Sequence, residues 1–171
     1  MVLKREFFNR NTVVVAKELL GKFLVRKIGN KIIKSKIIET EAYCGQSDLA
    51  CHASKGMTQR TKIMFGPAGY SYVYMIYGMY YCLNIVTEKE GYPAAVLIRA
   101  LDFEKCDGPG KLCRELKIDR NFNGVDVCRS KELWIEDNGE LVDRSIIKKG
   151  RRIGVDYAGR WKDKLWRFFL T

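Results

Sequence analysis

The sequence has no apolar run that approaches the roughly 20 residues a membrane-spanning helix needs. Its first residues, MVLKREFFNRN, contain no apolar stretch of the kind found in secretory signals. Repeats, linker-like segments and low-complexity segments are also missing. With 171 residues, we therefore expect one domain over residues 1–171, with no leader and no membrane anchor.

Metal-binding patterns are scarce. His52 is the single histidine, and the six cysteines include no C-x-x-C pair of the kind that zinc ribbons and fingers use. Cys44, Cys51 and His52 could be considered as metal ligands, but their spacing favours free thiols that pack as small apolar residues. The H-x-E and P-C-x-x-C pattern of zinc deaminases is absent too. We expect no metal site and no cofactor.

Acidic residues are in the minority. The chain has 31 lysines and arginines against 20 acidic residues, a formal net charge of +11. That excess suits a phosphate backbone or an anionic membrane surface. Hydrophobic residues make up 47% of the chain, which is enough for a real core. Without a membrane segment or a signal, the charge favours a cytoplasmic, nucleoid-associated protein.

Strand patterns outnumber helix patterns. Asn11 or Thr12 is placed to begin a helix that ends near Leu20, and Gly108 opens another that ends near Leu116. Apolar and β-branched segments separated by turn residues predict strands at 22–28, 31–43, 70–77, 80–86 and 94–101, with weaker ones at 133–135, 152–155 and 166–170. Residues 45–69 read as a long polar loop. The pattern predicts an α+β domain on a mainly antiparallel sheet.

Two glutamates lie in the segment IIETEAY, residues 37–43. Side chains two apart on a strand share a face, so Glu39, Glu41 and Tyr43 project together. They could form an acid/base pair, or one glutamate could be a solvated charge at a strand end. Arg99 lies inside the apolar segment VLIRAL, where it is costly to bury without a partner. It forms either a structural salt bridge or a contact that orients a carboxylate or a water.

The segment YSYVYMIYGMYYCLN, residues 70–84, holds six of the nine tyrosines. Tyr77 falls at its hairpin turn beside Gly78, where it could wedge into a base stack or be an ordinary surface residue. Asn84 lies among apolar residues, where it could read a base edge or bond to nearby backbone. Aromatic rings, a carboxylate and positive charge together indicate an enzyme that acts on nucleic-acid bases.

Three cations are candidates for phosphate contacts. Lys111 follows the Gly108-Pro109-Gly110 turn at a predicted helix start, and Arg60 and Lys62 lie in the long polar loop. A solvated surface charge is the alternative for each, and the turn motif is weak by itself.

Several of these segments, taken together, resemble one family. The chain resembles the alkyladenine (3-methyladenine) DNA glycosylases of the mammalian type, which also have bacterial members. The matching segments run in the expected order: ELLGKFLVRK, IIETEAYCG with DLACH downstream, MFGPAGYSYVYMIYGMYYCLNIV, VLIRAL, GPGKLC and RIGVDYAGRW. The resemblance implies a compact domain with a curved antiparallel sheet and short helices. It also implies hydrolysis of the N-glycosidic bond of alkylated or deaminated purines, such as 3-methyladenine, hypoxanthine and ethenoadenine.

The resemblance also implies roles for single residues. Glu41 matches the glutamate that activates the attacking water, Arg99 matches the arginine that helps to hold that water, and Ile153 falls where a backbone carbonyl does so. Tyr43 matches the ring on one face of the flipped base, and His52 and Tyr74 match the rings on the other. Backbone groups of Ala50 and His52 match the base-edge contacts, and Asn84 matches the side chain that discriminates against guanine. Tyr77 matches the intercalating tyrosine, and Met64 matches a second wedge-side contact.

The chain departs from the family pattern near its C-terminus. Asp156, Tyr157 and Arg160 stand where the mammalian type carries glycine, histidine and an acidic residue, which puts the substrate range in question. The long N-terminal extension of mammalian relatives is also missing.

The leading interpretation is a monofunctional glycosylase that acts as a monomer on double-stranded DNA with damaged purines, and not on membranes. A non-catalytic nucleic-acid-binding module with an aromatic stacking surface is the second hypothesis. A bifunctional glycosylase/lyase with a lysine nucleophile is the third. Burial of Glu41 beside Arg99 in a concave aromatic pocket would favour the enzyme over the module.

Overall fold

Strand β2 (Lys31–Cys44) runs through the middle of the sheet in a computed structural model that describes residues 1–171. Its first half pairs with β1 (Phe23–Ile28), and its second half pairs with β5 (Ala94–Leu101) on one edge and β8 (Arg167–Leu170) on the other. The remaining strands are β3 (Ser71–Ile76), β4 (Tyr80–Val86), β6 (Leu133–Glu136) and β7 (Ile147–Gly150). The order is β3-β4-β5-β2-β1-β6, with β7 added on β8, and every pairing is antiparallel.

The helices are few and short: α1 (Arg5–Phe8), α2 (Thr12–Glu18) and α3 (Pro109–Glu115), with 3₁₀ turns at 52–55, 62–65, 120–122, 144–146 and 156–163. Asn11 caps α2, because its side chain accepts hydrogen bonds from the N–H groups of Val13 and Val14. The predicted α+β class with a curved antiparallel sheet and short helices is confirmed. No helix has both the length and the apolar content to cross a membrane.

The period of two along each strand separates two faces of the sheet. On β2, Thr40 and Ala42 face the main core, where the Thr40 hydroxyl donates to the carbonyl of Ala16 in α2. Glu41 and Tyr43 face the other way. The neighbouring strands follow the same rule, so a second row of side chains meets Glu41 on that face: Tyr72, Tyr74, Cys82, Asn84, Leu97 and Arg99.

The structure corrects one sequence prediction of the fold and adds one short helix. Residues 152–155 do not form a strand, since the strand in this region is β7 and Gly154 turns the chain with a φ of +75°. The backbone there leaves the sheet because the Ile153 N–H bonds to the Glu41 carboxylate instead of a strand neighbour. The short helix α1, which places Phe8 in the core, was not predicted because four residues give no periodic pattern.

Candidate active site

A cavity of about 300 Å³ opens on the face of the sheet that carries Glu41. Strands β3, β4 and β5 supply its floor, the 3₁₀ turns at 52–55 and 62–65 supply one wall, and residues 153–157 supply another. Most of the lining residues are hydrophobic, with a few polar groups among them. This is the usual character of a site for a flat, largely apolar ligand.

Glu41 is held from three directions directly behind the lining of this cavity, by three residues that do line it. Its side chain is fully buried, and its Oε1 accepts the N–H of Ile153 at 2.8 Å and lies 3.5 Å from Nη1 of Arg99. Its Oε2 accepts the hydroxyl of Tyr43 at 2.7 Å. The predicted meeting of a carboxylate, an arginine and a tyrosine therefore occurs, and the carboxylate has one fixed orientation.

Glu39 has a different environment from Glu41. Its Oε1 accepts Nε of Arg99 at 3.1 Å and Nη1 of Arg167 at 3.0 Å. The Glu39 carboxylate lies between two guanidinium groups and positions Arg99. The structure therefore favours Glu39 as the anchor of Arg99 and not as the second member of an acid/base pair.

The electrostatics of Glu41 suit a proton acceptor. Burial raises the pKa of Glu41 above its ordinary value, although the Arg99 charge, the Ile153 N–H and the Tyr43 hydroxyl each lower the pKa in part. A general base works best when its proton affinity is raised while the ionised form is still available. Burial acts in the first direction, and the three contacts, which favour the ionised form, act in the second.

Aromatic rings form the sides of the cavity. His52 and Tyr74 have their ring centroids 4.5 Å apart, and Nδ1 of His52 lies 3.0 Å from the hydroxyl of Tyr72. Tyr43 projects from β2 beside Glu41. Burial, together with the charge of Arg60, lowers the pKa of His52 to about 4. The imidazole is therefore neutral at pH 7 and offers a flat uncharged surface.

The sequence left open whether Asn84 faces a bound base or bonds to nearby backbone, and its position in the structure allows both. Its side chain is buried, lines the cavity and donates from Nδ2 to the carbonyl of Tyr72 at 3.1 Å. The amide is therefore both bonded to backbone and fixed against the ligand space. Selectivity by Asn84 stays a prediction.

The hairpin tip between β3 and β4 presents an exposed tyrosine. Tyr77 is 88% exposed and has a φ of +52°, followed by Gly78 at +65°. Consecutive left-handed residues are typical of tight hairpin turns, but a bulky side chain at positive φ is strained. Met75 and Met79 are exposed beside it. The structure therefore exposes the Tyr77 ring at the rim of the cavity, and its insertion into a base stack stays a prediction.

Met64 does not lie where a second wedge would. Its side chain is only 2% exposed and packs with Tyr72 and Val86, because the 3₁₀ turn at 62–65 points it inward. The structure therefore makes Met64 a wall of the cavity, and the expected wedge-side contact would require it to move.

The three predicted phosphate contacts differ in their surroundings. The Arg60 guanidinium lies over the ring of Tyr74, 5.2 Å from its centroid, and so reaches the cavity rim. Lys62 is exposed. Lys111 is exposed and pairs with both carboxylate oxygens of Asp107 at 3.0 Å. Because exposed pairs of this kind contribute little, Lys111 can exchange Asp107 for another anion.

A buried ion pair that the sequence prediction missed connects the walls of the cavity. Arg152 and Asp48 are both fully buried at the side chain and form a bidentate pair at 2.6 and 2.9 Å. The guanidinium also donates to the carbonyls of Ala42 and Trp161, and it stacks on the Tyr43 ring at 4.9 Å. Arg152 does not itself line the cavity, so it supports Tyr43 from behind.

Asp48 extends this support into the loop after β2. Its carboxylate accepts the N–H groups of Cys44 and Ala50, which fixes the loop that leads to His52. Arg152 immediately precedes Ile153, whose N–H contacts Glu41. The signal that singled out Arg99, an arginine in an apolar segment, was missing for Arg152, because Arg152 follows the basic run Lys148-Lys149-Gly150-Arg151.

The cavity does not bring together metal ligands, a lysine nucleophile or an activated thiol. No cluster of three or more histidine, cysteine, aspartate or glutamate side chains has the geometry of a metal site, and no lysine lines the cavity. The six cysteines are free thiols, and burial raises the pKa of Cys44 and of Cys51 to about 12. These thiols are protonated at neutral pH and are not activated nucleophiles.

Comparison with known proteins places these features in a family context. The family profile described as methylpurine-DNA glycosylase matches residues 6–107 and 101–171. A protein of Legionella pneumophila (strain Corby) is 52% identical over 173 residues, which cover 98% of this chain and 93% of the relative. A protein of Methanocella arvoryzae is 50% identical over 186 residues, covering 98% and 92%. Both relatives carry the description "Putative 3-methyladenine DNA glycosylase".

Proposed function

The chain belongs to the methylpurine-DNA glycosylase family, whose members hydrolyse N-glycosyl bonds, and we propose that it removes alkylated and deaminated purines from duplex DNA as a monofunctional enzyme. The observation that carries this proposal is the buried Glu41 carboxylate, held by Arg99 and the Ile153 N–H beside an aromatic cavity. A flat binding platform would have left Glu41 in solvent. The arrangement therefore favours catalysis over a non-catalytic binding module.

The cavity requires the target nucleotide to leave the helix. A base inside a duplex cannot reach Glu41, and extruding it costs a few kcal/mol, least at damaged or mismatched pairs. Stacking between Tyr43 on one side and His52 with Tyr74 on the other returns about 1–3 kcal/mol per base. The exposed Tyr77 is placed to fill the gap that the nucleotide leaves behind.

In the proposed reaction, Glu41 accepts a proton from water as the water oxygen bonds to C1′ of the sugar. The glycosidic bond breaks and its electron pair leaves with the base. A cationic alkylated purine leaves as a neutral molecule and needs no acid. A neutral purine such as hypoxanthine leaves as an anion and takes a proton from solvent, because His52 is neutral at pH 7 and cannot supply one as an imidazolium. The Arg99 charge favours the ionised carboxylate and so opposes the effect of burial.

A lesion panel tests this function. Duplexes with a single 3-methyladenine, hypoxanthine or ethenoadenine are incubated with the protein, and abasic sites are scored after alkali. We expect intact strands that break only on alkali treatment, and no protein–DNA adduct with borohydride, because no lysine lines the cavity. A borohydride-dependent adduct lost on replacing one lysine would support the lyase alternative instead.

We further propose that the protein acts as a monomer on chromosomal DNA in the cytoplasm. One chain supplies every wall of the cavity, and its net charge of +11 favours a polyanion. Arg60, Lys62 and Lys111 are the proposed phosphate contacts, and the Tyr77 hairpin is the proposed point of insertion.

The acid limb of the pH–rate profile should lie above the ordinary glutamate pKa of about 4.3. Only the ionised Glu41 can accept a proton, and burial raises its pKa, so activity falls as pH drops through that raised value. Single-turnover excision of cationic 3-methyladenine is the measurement, because this leaving group needs no acid. Arg99→Gln should move the limb to higher pH. Arg167→Gln should move it little, because the Arg167 guanidinium bonds to Glu39 and to the Arg151 carbonyl but not to Glu41. A limb at or below pH 4.3 would contradict the assignment.

Replacing Tyr77 by Ser should weaken binding to a lesion duplex about tenfold or more, since a base–aromatic contact contributes about 1–3 kcal/mol. A 2-aminopurine reporter next to the lesion should show less unstacking. Tyr77→Phe keeps the ring and should behave like the wild type. Thermal stability should not fall in Tyr77→Gly, because glycine relieves the positive φ. Normal flipping by Tyr77→Ser would make Tyr77 an ordinary surface residue.

A further inference from the structure

One backbone acceptor in the cavity has an unusual partner. Ala50 lines the cavity, and its carbonyl accepts no backbone N–H. The hydroxyl of Tyr157 donates to it at 3.3 Å, which is long for a hydrogen bond between oxygens. The carbonyl is therefore weakly satisfied and available to a better donor.

Tyr157 is held loosely apart from this contact. Its side chain also lines the cavity, yet the residue is 69% exposed. It lies on the 3₁₀ segment between Gly154 and Gly159, both at positive φ, and this irregular backbone carries the ring back to Ala50. A hydroxyl can rotate between donating and accepting at little cost. Tyr157 can therefore release Ala50 when a ligand arrives.

A base that enters the cavity would present an edge, and not a face, to Ala50. The rings of Tyr43, His52 and Tyr74 occupy the sides. Ala50 packs with Val155 and Ala158 against the border of Tyr43. A purine stacked between the rings would point one of its edges at the Ala50 carbonyl and the Tyr157 hydroxyl.

We propose that Tyr157 is a specificity-determining residue that adapts this edge to different damaged purines, an inference that depends on the proposed function. A purine with an N–H donor, such as the amino group of an adenine-type lesion, takes the Ala50 carbonyl in place of the hydroxyl. A purine with a carbonyl at that position would place one hydrogen-bond acceptor against another, the Ala50 carbonyl. The Tyr157 hydroxyl turns to donate to that carbonyl and so admits 6-oxo purines.

The test is the Tyr157→Phe variant, which removes the hydroxyl alone. Without it, 3-methyladenine meets a free acceptor, whereas hypoxanthine loses its donor. The ratio of single-turnover excision of hypoxanthine to that of 3-methyladenine should fall about tenfold, as expected for one hydrogen bond together with an acceptor left unpaired. Comparing the variant with the wild type on each lesion removes the intrinsic difference between the two leaving groups.

Tyr92→Phe is the matched control. The Tyr92 hydroxyl also donates to a backbone carbonyl, that of Cys44 at 3.5 Å, but Tyr92 does not line the cavity. For Tyr92→Phe, the ratio of hypoxanthine excision to 3-methyladenine excision should equal that of the wild type. Melting temperatures should match in all three proteins, because both tyrosines are exposed.

The outcomes separate the two proposals. If the wild type excises neither lesion, the proposed function is wrong. If the wild type excises them and Tyr157→Phe leaves the ratio unchanged, or raises it, the function stands and the inference about Tyr157 is wrong.

Discussion

Replacing Glu41 by Gln should lower the single-turnover excision rate by about 10²–10⁴-fold or more, the contribution typical of general base catalysis. Glutamine keeps the shape of the side chain and can still accept the Ile153 N–H, but it cannot accept a proton from water. Binding to a lesion duplex should persist, because the stacking rings and the hairpin are unchanged. Gel-shift affinity and abasic-site formation on the same duplex measure the two effects separately.

Two controls sharpen this test. Glu39 lies on the same strand and face as Glu41 but contacts Arg99 and Arg167. The loss of excision rate in Glu39→Gln should therefore be clearly smaller than in Glu41→Gln. Glu41→Gln should also unfold at the same or a higher temperature at pH 7. The raised pKa of Glu41 means that its ionised form disfavours folding once the pH exceeds its unfolded pKa, and glutamine removes that cost. Excision by Glu41→Gln within a few-fold of wild type would refute its role as the base.

Replacing Asp48 by Asn should lower the free energy of unfolding by about 3–5 kcal/mol, the usual cost of removing one partner from a buried ion pair. Arg152 would be left charged in a site where both side chains are fully buried. For a chain of this size the melting temperature should fall by about 10 °C. Calorimetry measures this loss directly.

Asp107→Asn makes the same chemical change in an exposed pair with Lys111, and it should leave stability nearly unchanged. Asp48→Leu combined with Arg152→Met removes both charges and should cost less than the two single changes added together. If Asp48→Asn has the same melting temperature as the Asp107→Asn control, the Asp48–Arg152 pair does not hold the cavity walls together as inferred.

Local pattern was enough to predict most of the sheet and part of the site. The alternation of strand residues placed Glu41 and Tyr43 on one face, and the apolar context of Arg99 pointed to a buried partner. Asn11 marked the start of the first predicted helix, and Gly78 marked the hairpin turn. These predictions succeeded because each depends on residues close together in sequence, where backbone geometry follows from residue type. The combined motifs also identified the family, which the comparisons confirm.

Contacts between distant segments were decided by the tertiary structure alone. The Ile153 N–H meets Glu41 across 112 residues, Arg152 meets Asp48 across 104, and Tyr157 meets Ala50 across 107. Each involves backbone outside regular strands, where no periodicity reports which way a side chain or an N–H points. For the same reason residues 152–155 were predicted as a strand. The sequence determined which chemical groups the site contains, whereas the packing of the C-terminal segment against β2 decided their partners and their charge states.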